Sequence, residues 1–454
     1  MENFFKLREN GTDVRKEIIA GITTFLAMAY IIAVNPDFLG AAGMPKGAVL
    51  TVTCLTAGLT TIFMGLYANL PFALASGMGL NAFFAFSVCK GMGVDYRVAL
   101  TAVFVEGIIF IILSLTNVRE AVVNAIPTTL KLAVTAGIGL FIAFIGFVNS
   151  GIVIKDEATL VKMGNFTKPP VIIAIIGIIV IVILSKKNIK GALLWGIVAS
   201  TVLAWIYAAL NPKLAAEVYH IYLPDGIFRY ESIKPIAFKL DFSYLVDTQK
   251  IWSFLTIAMT FLFVDFFDTI GTLVGVASKV GMVDEEGRVK NAGKALLVDA
   301  IGTTCGAVLG TSTVTTYVES SAGVAEGGRT GLTSVVTGIL FLIAMFLSPL
   351  FIAIPGCATA PALIVVGFFM MENIVKIDFA DFTEGVPAFL TIALMPLTYS
   401  IGDGLTMGIL SYAVFNFLNN LFTKEDSKKK KVSPVIYILA ILFIIKLIAT
   451  GIKM

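Results

Sequence analysis

Long apolar stretches alternate with short polar connections along almost the whole chain. They fall at 18–35, 47–68, 72–89, 97–115, 128–148, 170–185 and 191–210. After a polar interval at 211–250 they resume at 251–276, 295–310, 312–325, 331–352, 356–372, 385–400 and 403–422. A hydrocarbon core about 30 Å thick is crossed by about 20 apolar residues in a helix. The pattern therefore predicts an all-α polytopic membrane protein with 14 transmembrane segments, seven on each side of the polar interval.

Lysine and arginine placement orients these segments, because short cytoplasmic loops carry the basic excess. With the N-terminus cytoplasmic, the inner side receives Lys186, Lys187 and Lys190, then Lys279, Arg288, Lys290 and Lys294, then Arg329, and finally the run TKEDSKKKK at 423–431. The two longest loops, 149–168 and 211–250, fall outside and carry mixed charge. The apolar stretch 434–452 contains Lys446 and would send the C-terminus outward as a further span. It is expected instead to lie on the surface or at the periphery. The N-terminal stretch shows no short apolar run ending in a small-residue cleavage site, so no removable signal peptide is expected.

The two halves echo each other. Ala125-Ile126-Pro127 introduces the fifth stretch and Ala353-Ile354-Pro355 the twelfth. The sixth and thirteenth end in Ser185 and Ser400, each followed by a short turn and a glycine-rich start, GALLWGI at 191–197 and GLTMGI at 404–409. A repeat of seven spans enters the membrane from opposite sides, which is the inverted-repeat plan of secondary transporters, with the substrate near the midplane at broken helices.

The third stretch of each half is the broken one. PFALASGMGLNAFFA at 71–85 starts with proline and holds Gly77 and Gly79 before Asn81, and GTSTVTTYVESSAGVA at 310–325 runs through β-branched and hydroxyl residues to Glu319. Both read as a short extended piece followed by a half-helix, an arrangement tolerated at membrane depth only where it lines a cavity. Such a break exposes backbone donors and a helix N-terminus to a ligand.

Acids sharpen this picture. FLFVDFFDTIG at 261–271 places Asp265 and Asp268 three residues apart on one helix face within an apolar run. An ionised carboxylate at the bilayer centre costs about 2.5–3.5 kcal/mol, so Asp265, Asp268 and Glu319 are the candidate functional acids. Taken alone, Gly77 and Gly79 also read as packing positions, Asn81 as interhelical glue, and Thr311–Thr316 as strand formers. Asp268 reads equally as a proton relay or an orienting hydrogen bond. Glu106 reads as a structural interhelical contact and Asp299 as a solvated or capping residue near a span end. Phe83, Phe266 and Tyr317 are placed to stack on a planar ring, although packing is the ordinary role of phenylalanine in a chain with 35 of them.

Composition excludes other classes. The chain has 454 residues, 57% hydrophobic and 14% charged, with a formal net charge of +3 and a mean hydropathy of +0.93. Soluble proteins have about a quarter of their residues charged. The four cysteines lie in apolar stretches without metal-ligand spacing, and the single histidine, His220, lies in the polar interval, which leaves no histidine metal site or intramembrane histidine relay. No hydrolase triad, zinc-protease motif or phosphate-binding loop stands in a suitable place. No enzyme activity, cofactor, metal or nucleic-acid partner is expected.

Together, PFALASGMGLNAFFA, FLFVDFFDTIGTLVGVA and GTSTVTTYVESSAGVAEGGRTGLTSV closely resemble the AzgA-like adenine/guanine/hypoxanthine permeases of the nucleobase-cation symporter, or xanthine/uracil permease, group. The resemblance extends from Arg15 to about Leu421. It implies a core domain formed by 18–115 and 251–352 and a gate domain formed by 116–210 and 353–422. Outside these lie a cytoplasmic N-terminus at 1–17, an extracellular loop at 211–250, and a basic linker with an extra C-terminal helix at 423–454.

The same resemblance makes Asp265 and Glu319 the acids that hold a purine, with Asn81 on the first broken segment and Asp268 a further polar site. Gly79, Thr316 and Phe266 complete the candidate substrate set, and Asp268 is the candidate for proton coupling. In uracil-type relatives a histidine one turn after the first acid is tied to coupling; here that position is Thr269, so that scheme does not transfer.

The implied activity is import of purine nucleobases across the plasma membrane by proton symport with alternating access, commonly as a homodimer, with sodium as the open alternative ion. The rivals are uracil or xanthine as substrate, or a small anion, because sulfate and bicarbonate transporters share the repeat plan. Two acids at the site disfavour a free anion.

Overall fold

A computed structural model describes residues 2–115, 127–279, 291–423 and 430–451 of the chain. The helices are α1 Glu2–Phe5, α2 Val14–Met28, α3 Ile31–Ala41, α4 Lys46–Phe63, α5 Met78–Ala82, α6 Tyr96–Leu115, α7 Thr128–Ser150, α8 Pro169–Lys186, α9 Ala192–Leu210, α10 Pro212–Tyr219 and α11 Ser243–Val246. There follow α12 Ile251–Lys279, α13 Ala292–Leu309, α14 Ser320–Ala325, α15 Gly331–Ala344, α16 Ser348–Ile352, α17 Gly356–Met371, α18 Phe382–Leu397, α19 Ile401–Phe422 and α20 Pro434–Gly451. The strands are β1 Leu74–Ser76, β2 Val153–Asp156, β3 Leu160–Met163 and β4 Val314–Thr316.

Among the described residues, nine helices are long and apolar enough to cross a membrane, four of them in Val14–Ala41, Lys46–Ala68, Tyr96–Leu115 and Thr128–Ser150. Shorter apolar helices occur at Ile251–Asp265, Gly331–Ala344, Phe382–Leu397 and Pro434–Ile444. The protein is thus a helical multi-pass membrane protein. Side chains exposed along these helices are themselves apolar, as at Ile176, Ile179, Val182 and Ile183 of α8, the pattern of a lipid-facing surface.

Packing sorts the helices into two groups. In one, α7 packs on α17 and α18, α17 on α8 and α9, and α18 on α19. In the other, α4 and α2 pack on α15, α6 on α13 and α12, and α14 on α2. Glycines allow close approach where helices cross: the position a Cβ would take on Gly338 lies 2.6 Å from the Gly58 carbonyl oxygen.

Two polar clamps fix the ends of the chain. Glu17 on α2 is fully buried; its Oε1 accepts from the Arg329 and Thr330 backbone N–H groups at 2.8 and 3.2 Å. Its Oε2 accepts from the Thr333 N–H at 3.0 Å and the Thr333 hydroxyl at 2.6 Å. A carboxylate thereby caps the N-terminus of α15, where orphan donors and the helix dipole favour negative charge.

At the other end, Lys430 donates to Asp381 at 2.5 Å, Thr383 at 2.7 Å and Glu384 at 2.9 Å. Its backbone N–H and carbonyl also pair with the Asn420 side chain at 2.8 and 2.7 Å. The stretch expected at the periphery is therefore a helix, α20, anchored beside α19, with Ile436, Leu439 and Ala440 buried.

Two stability predictions follow from the clamps. Glu17→Ala strands buried N–H groups, and a loss of about 1–3 kcal/mol is expected, read as a lower thermal midpoint of the purified protein in detergent. Lys430→Ala is expected to speed amide exchange across 434–451. The Lys430 ammonium holds the Asp381 carboxyl below its ordinary value of 3.8. A depressed acid stabilises above its unfolded pKa and loses that contribution as pH falls through the folded one. Wild-type α20 should accordingly stay protected at neutral pH and loosen only below about pH 3.8.

Candidate functional site

The site is built on two interrupted helices. Pro71 lacks an N–H and β-branched Val314-Thr315-Thr316 disfavours helix, so each segment runs extended for three residues before turning into a short helix. β1 and β4 pair antiparallel, with Leu74 opposite Thr316, Ala75 opposite Thr315 and Ser76 opposite Val314. The ladder extends through Gly77 N–H to Thr313 O and Tyr317 N–H to Ala73 O, both at 3.0 Å.

Threonine hydroxyls close the outer edges. Thr61 of α4 accepts from Leu74 N–H at 2.9 Å and donates to Leu74 O at 3.0 Å. Thr303 of α13 does the same for Val314 at 3.2 and 3.0 Å. The expected short extended pieces are present at both positions.

A cavity of about 70 Å³ lies where the strands meet, lined by Tyr30, Gly79, Thr272, Thr315, Thr316, Tyr317 and Glu319 and bounded by Met78, Val318, Val366 and Met370. Its volume is well under the roughly 300 Å³ of a typical small-molecule site. Glu319 is held by the Tyr30 hydroxyl, which donates to Oε1 at 2.7 Å. Of the expected residues, Gly79, Thr316 and Glu319 line this cavity.

The other expected residues divide. Asn81 is fully buried, donating through Nδ2 to Ser76 O at 3.3 Å and accepting from the Ser312 hydroxyl through Oδ1. Asp265 is fully buried behind the cavity, on the face of α12 that reaches Thr272 seven residues later. The side chains of Phe266 and Asp268 lie outside the described residues. Phe83 packs edge-on against Phe261, ring centroids 4.9 Å apart, rather than facing the cavity. Tyr317 lines it and donates its hydroxyl to Ser76 O.

Three acids meet behind the cavity wall. Asp299 is fully buried, not solvated or capping: it accepts from the Thr269 hydroxyl at 3.1 Å and from Thr316 at 3.4 Å. The helix before β4 carries it inward rather than to a span end. Thr269 also reaches Asp265 Oδ1 at 3.3 Å, and Glu106 of α6 adjoins Asp265. Tyr30, Thr272, Thr269 and this use of Asp299 carried no local signal, since each depends on how distant helices pack. The costly acids themselves were the available signal for Glu106 and Asp299.

A larger cavity, about 390 Å³, is lined by Phe86, Lys90, Gly91, Ile145, Val148, Asn149 and Tyr399. Among the described residues no carboxylate lines it, and the Ser87 hydroxyl beside it donates to Tyr399 O at 2.7 Å. The acids therefore favour the smaller cavity as the recognition site.

Residues 15–405 match the family described as Permease family, the xanthine/uracil permeases. The chain is 45% identical to the guanine/hypoxanthine permease PbuG of Bacillus subtilis (strain 168), covering 98% of this chain and 99% of that one. It is 41% identical to the adenine permease AdeP of Escherichia coli (strain K12), covering 99% and 96%. Among solved structures, the transmembrane domain of a cyanobacterium bicarbonate transporter, BicA, superposes with a TM-score of 0.64 at 16% identity, covering 86% of this chain and 97% of that one. That likeness is one of fold.

Gly79 offers a test of the cavity wall. A Cβ there would stand 2.5 Å from Ile138 Cγ2 of α7. Gly79→Ala should destabilise the purified protein by about 1–3 kcal/mol through overpacking, and should cost less when made in an Ile138→Ala chain, read as a smaller drop in thermal midpoint between the single and the double variant.

Proposed function

The chain belongs to the Permease family of xanthine/uracil permeases, and from that premise we propose that it imports purine nucleobases, adenine, guanine or hypoxanthine, by proton symport with alternating access. The observation that carries this reading is the strand-crossing cavity with Glu319 on its wall, in a chain whose relatives are named for adenine and for guanine/hypoxanthine.

A purine presents ring N–H donors and nitrogen or carbonyl acceptors around a flat apolar disk. Glu319 and Asp265 serve as acceptors for its N–H groups, with Asn81, Gly79 and Thr316 at its edges and Phe266 against its face. Asp265 sits about 10 Å along α12 from Thr272, so it engages substrate as the cavity widens. Asp268 takes part in coupling. Carrying an unpaired carboxylate through a closing apolar barrier is unfavourable, so the loaded site moves when neutralised.

The moving parts are a core formed by 18–115 with 251–352 and a gate formed by 116–210 with 353–422, in a 14-segment inverted repeat. The two packing groups of helices support this division. The matched use of Thr61 and Thr303 on the strand edges supports the repeat. The protein is placed in the cell membrane as a homodimer, on the family resemblance, and the basic loops support a cytoplasmic N-terminus.

Anion transport is the second reading, favoured by the fold likeness to a bicarbonate transporter and disfavoured by the acids at the site. Uptake of labelled adenine, guanine and hypoxanthine at two external pH values, with and without a protonophore, separates them. Uptake should fall with the protonophore and withstand sulfate and bicarbonate. Asp265→Asn and Glu319→Gln should each lower kcat/KM by about tenfold or more, the loss of a charged hydrogen bond. Near-normal uptake in both variants sinks the assignment.

A further inference from the structure

We infer that Glu106 is the proton-binding partner of Asp265, the two carboxyl groups sharing one proton that links purine binding to proton transport. This rests on the reading of the protein as a proton-coupled purine transporter, and it locates the coupled proton on a residue of α6. Glu106 is fully buried in the middle of that helix. Its Oε2 accepts from the Thr313 hydroxyl at 3.3 Å, while its Oε1 accepts from no donor among the described residues.

Among the described residues the titratable groups that face Glu106 are Asp265 on α12, within hydrogen-bonding reach, and Asp299 on α13; Thr313, beside β4, is neutral. An ionised carboxylate only accepts hydrogen bonds. Two carboxyl groups in contact therefore form a bond only when one of them is protonated, and like charges so close in an apolar interior do not both ionise. A proton on Glu106 donated to Asp265 satisfies the contact and leaves Asp265 as an acceptor for purine N–H.

The pair is wired to the cavity. Thr269 bridges Asp265 and Asp299 at 3.3 and 3.1 Å, and Thr316, on the cavity wall, donates to Asp299 at 3.4 Å. A hydroxyl has a single proton to donate, so Thr269 shifts its bond between the two acids as their protonation changes. Loading forms one O–H bond on the pair with a proton from outside water. Release breaks that bond and returns the proton to inside water, with no oxidation or reduction.

The test uses purified full-length protein and labelled hypoxanthine, in detergent for binding and in liposomes for transport. Binding linked to one proton changes Kd about tenfold per pH unit. In Glu106→Gln, which keeps the side chain's shape but holds no titrating proton, that dependence should flatten to under about twofold. Accumulation driven by a pH gradient should disappear in this variant, while exchange of labelled for unlabelled purine without a gradient persists. Glu106→Asp should retain the pH dependence. Wild-type pH dependence and accumulation in E106Q overturn the proposal. So does loss of all purine binding in both variants, which would make Glu106 a packing or ligand residue. Absence of purine binding in the wild-type protein is a separate result that overturns the transport reading itself.

Discussion

Two helices are interrupted in the interior of this protein, and every backbone group they release has to find a partner inside the fold. An N–H or C=O left unsatisfied away from water costs several kcal/mol. The solution is a three-residue antiparallel pair, β1 with β4, whose outer edges are each closed by one threonine, Thr61 or Thr303, acting as donor and acceptor to the same residue. The Ser334 hydroxyl lies 2.7 and 2.8 Å from Leu70 O and Phe72 O, its one proton shared between them, and Ser320 accepts from Ala73 N–H at 3.0 Å. The hydroxyl residues clustered in this region are the means by which an irregular backbone survives at depth.

The rest of the site follows from that crossing. Because β1 and β4 are joined, the residues after them, Gly79 and Glu319, share one cavity although they lie 240 positions apart in the chain (319 − 79). The helices that support the strands then bring their own polar side chains to the back of the cavity. Asp299 of α13 receives hydrogen bonds from both Thr316 and Thr269, and Glu106 of α6 completes the group beside Asp265.

Buried acids in this fold play two different parts, and their partners tell them apart. Glu17 accepts from three backbone N–H groups and a hydroxyl at the start of α15, so its charge is fully satisfied and its role is to hold a helix end. Asp381 and Glu384 are matched by Lys430 at the rim. Glu106 instead stands beside Asp265 with Asp299 nearby, and the Thr313 hydroxyl donates to it at 3.3 Å. The same residue types meet matched donors at the edges and one another at the centre.

The sequence by itself determined the membrane class, the apolar spans and the two segments that could not continue as helix, because hydrophobic length, proline and β-branched runs act locally. It also singled out Asp265, Glu319 and Asn81, since polar groups in apolar surroundings are conspicuous, while Gly79 and Thr316 entered with the family resemblance. Only the tertiary structure decided that Tyr30 holds Glu319, that Asp299 is buried in the network rather than solvated, and that Glu106 stands beside Asp265. Those relations depend on the rotation and depth of helices far apart in the chain, set by packing across the whole fold and by no feature of the neighbouring residues.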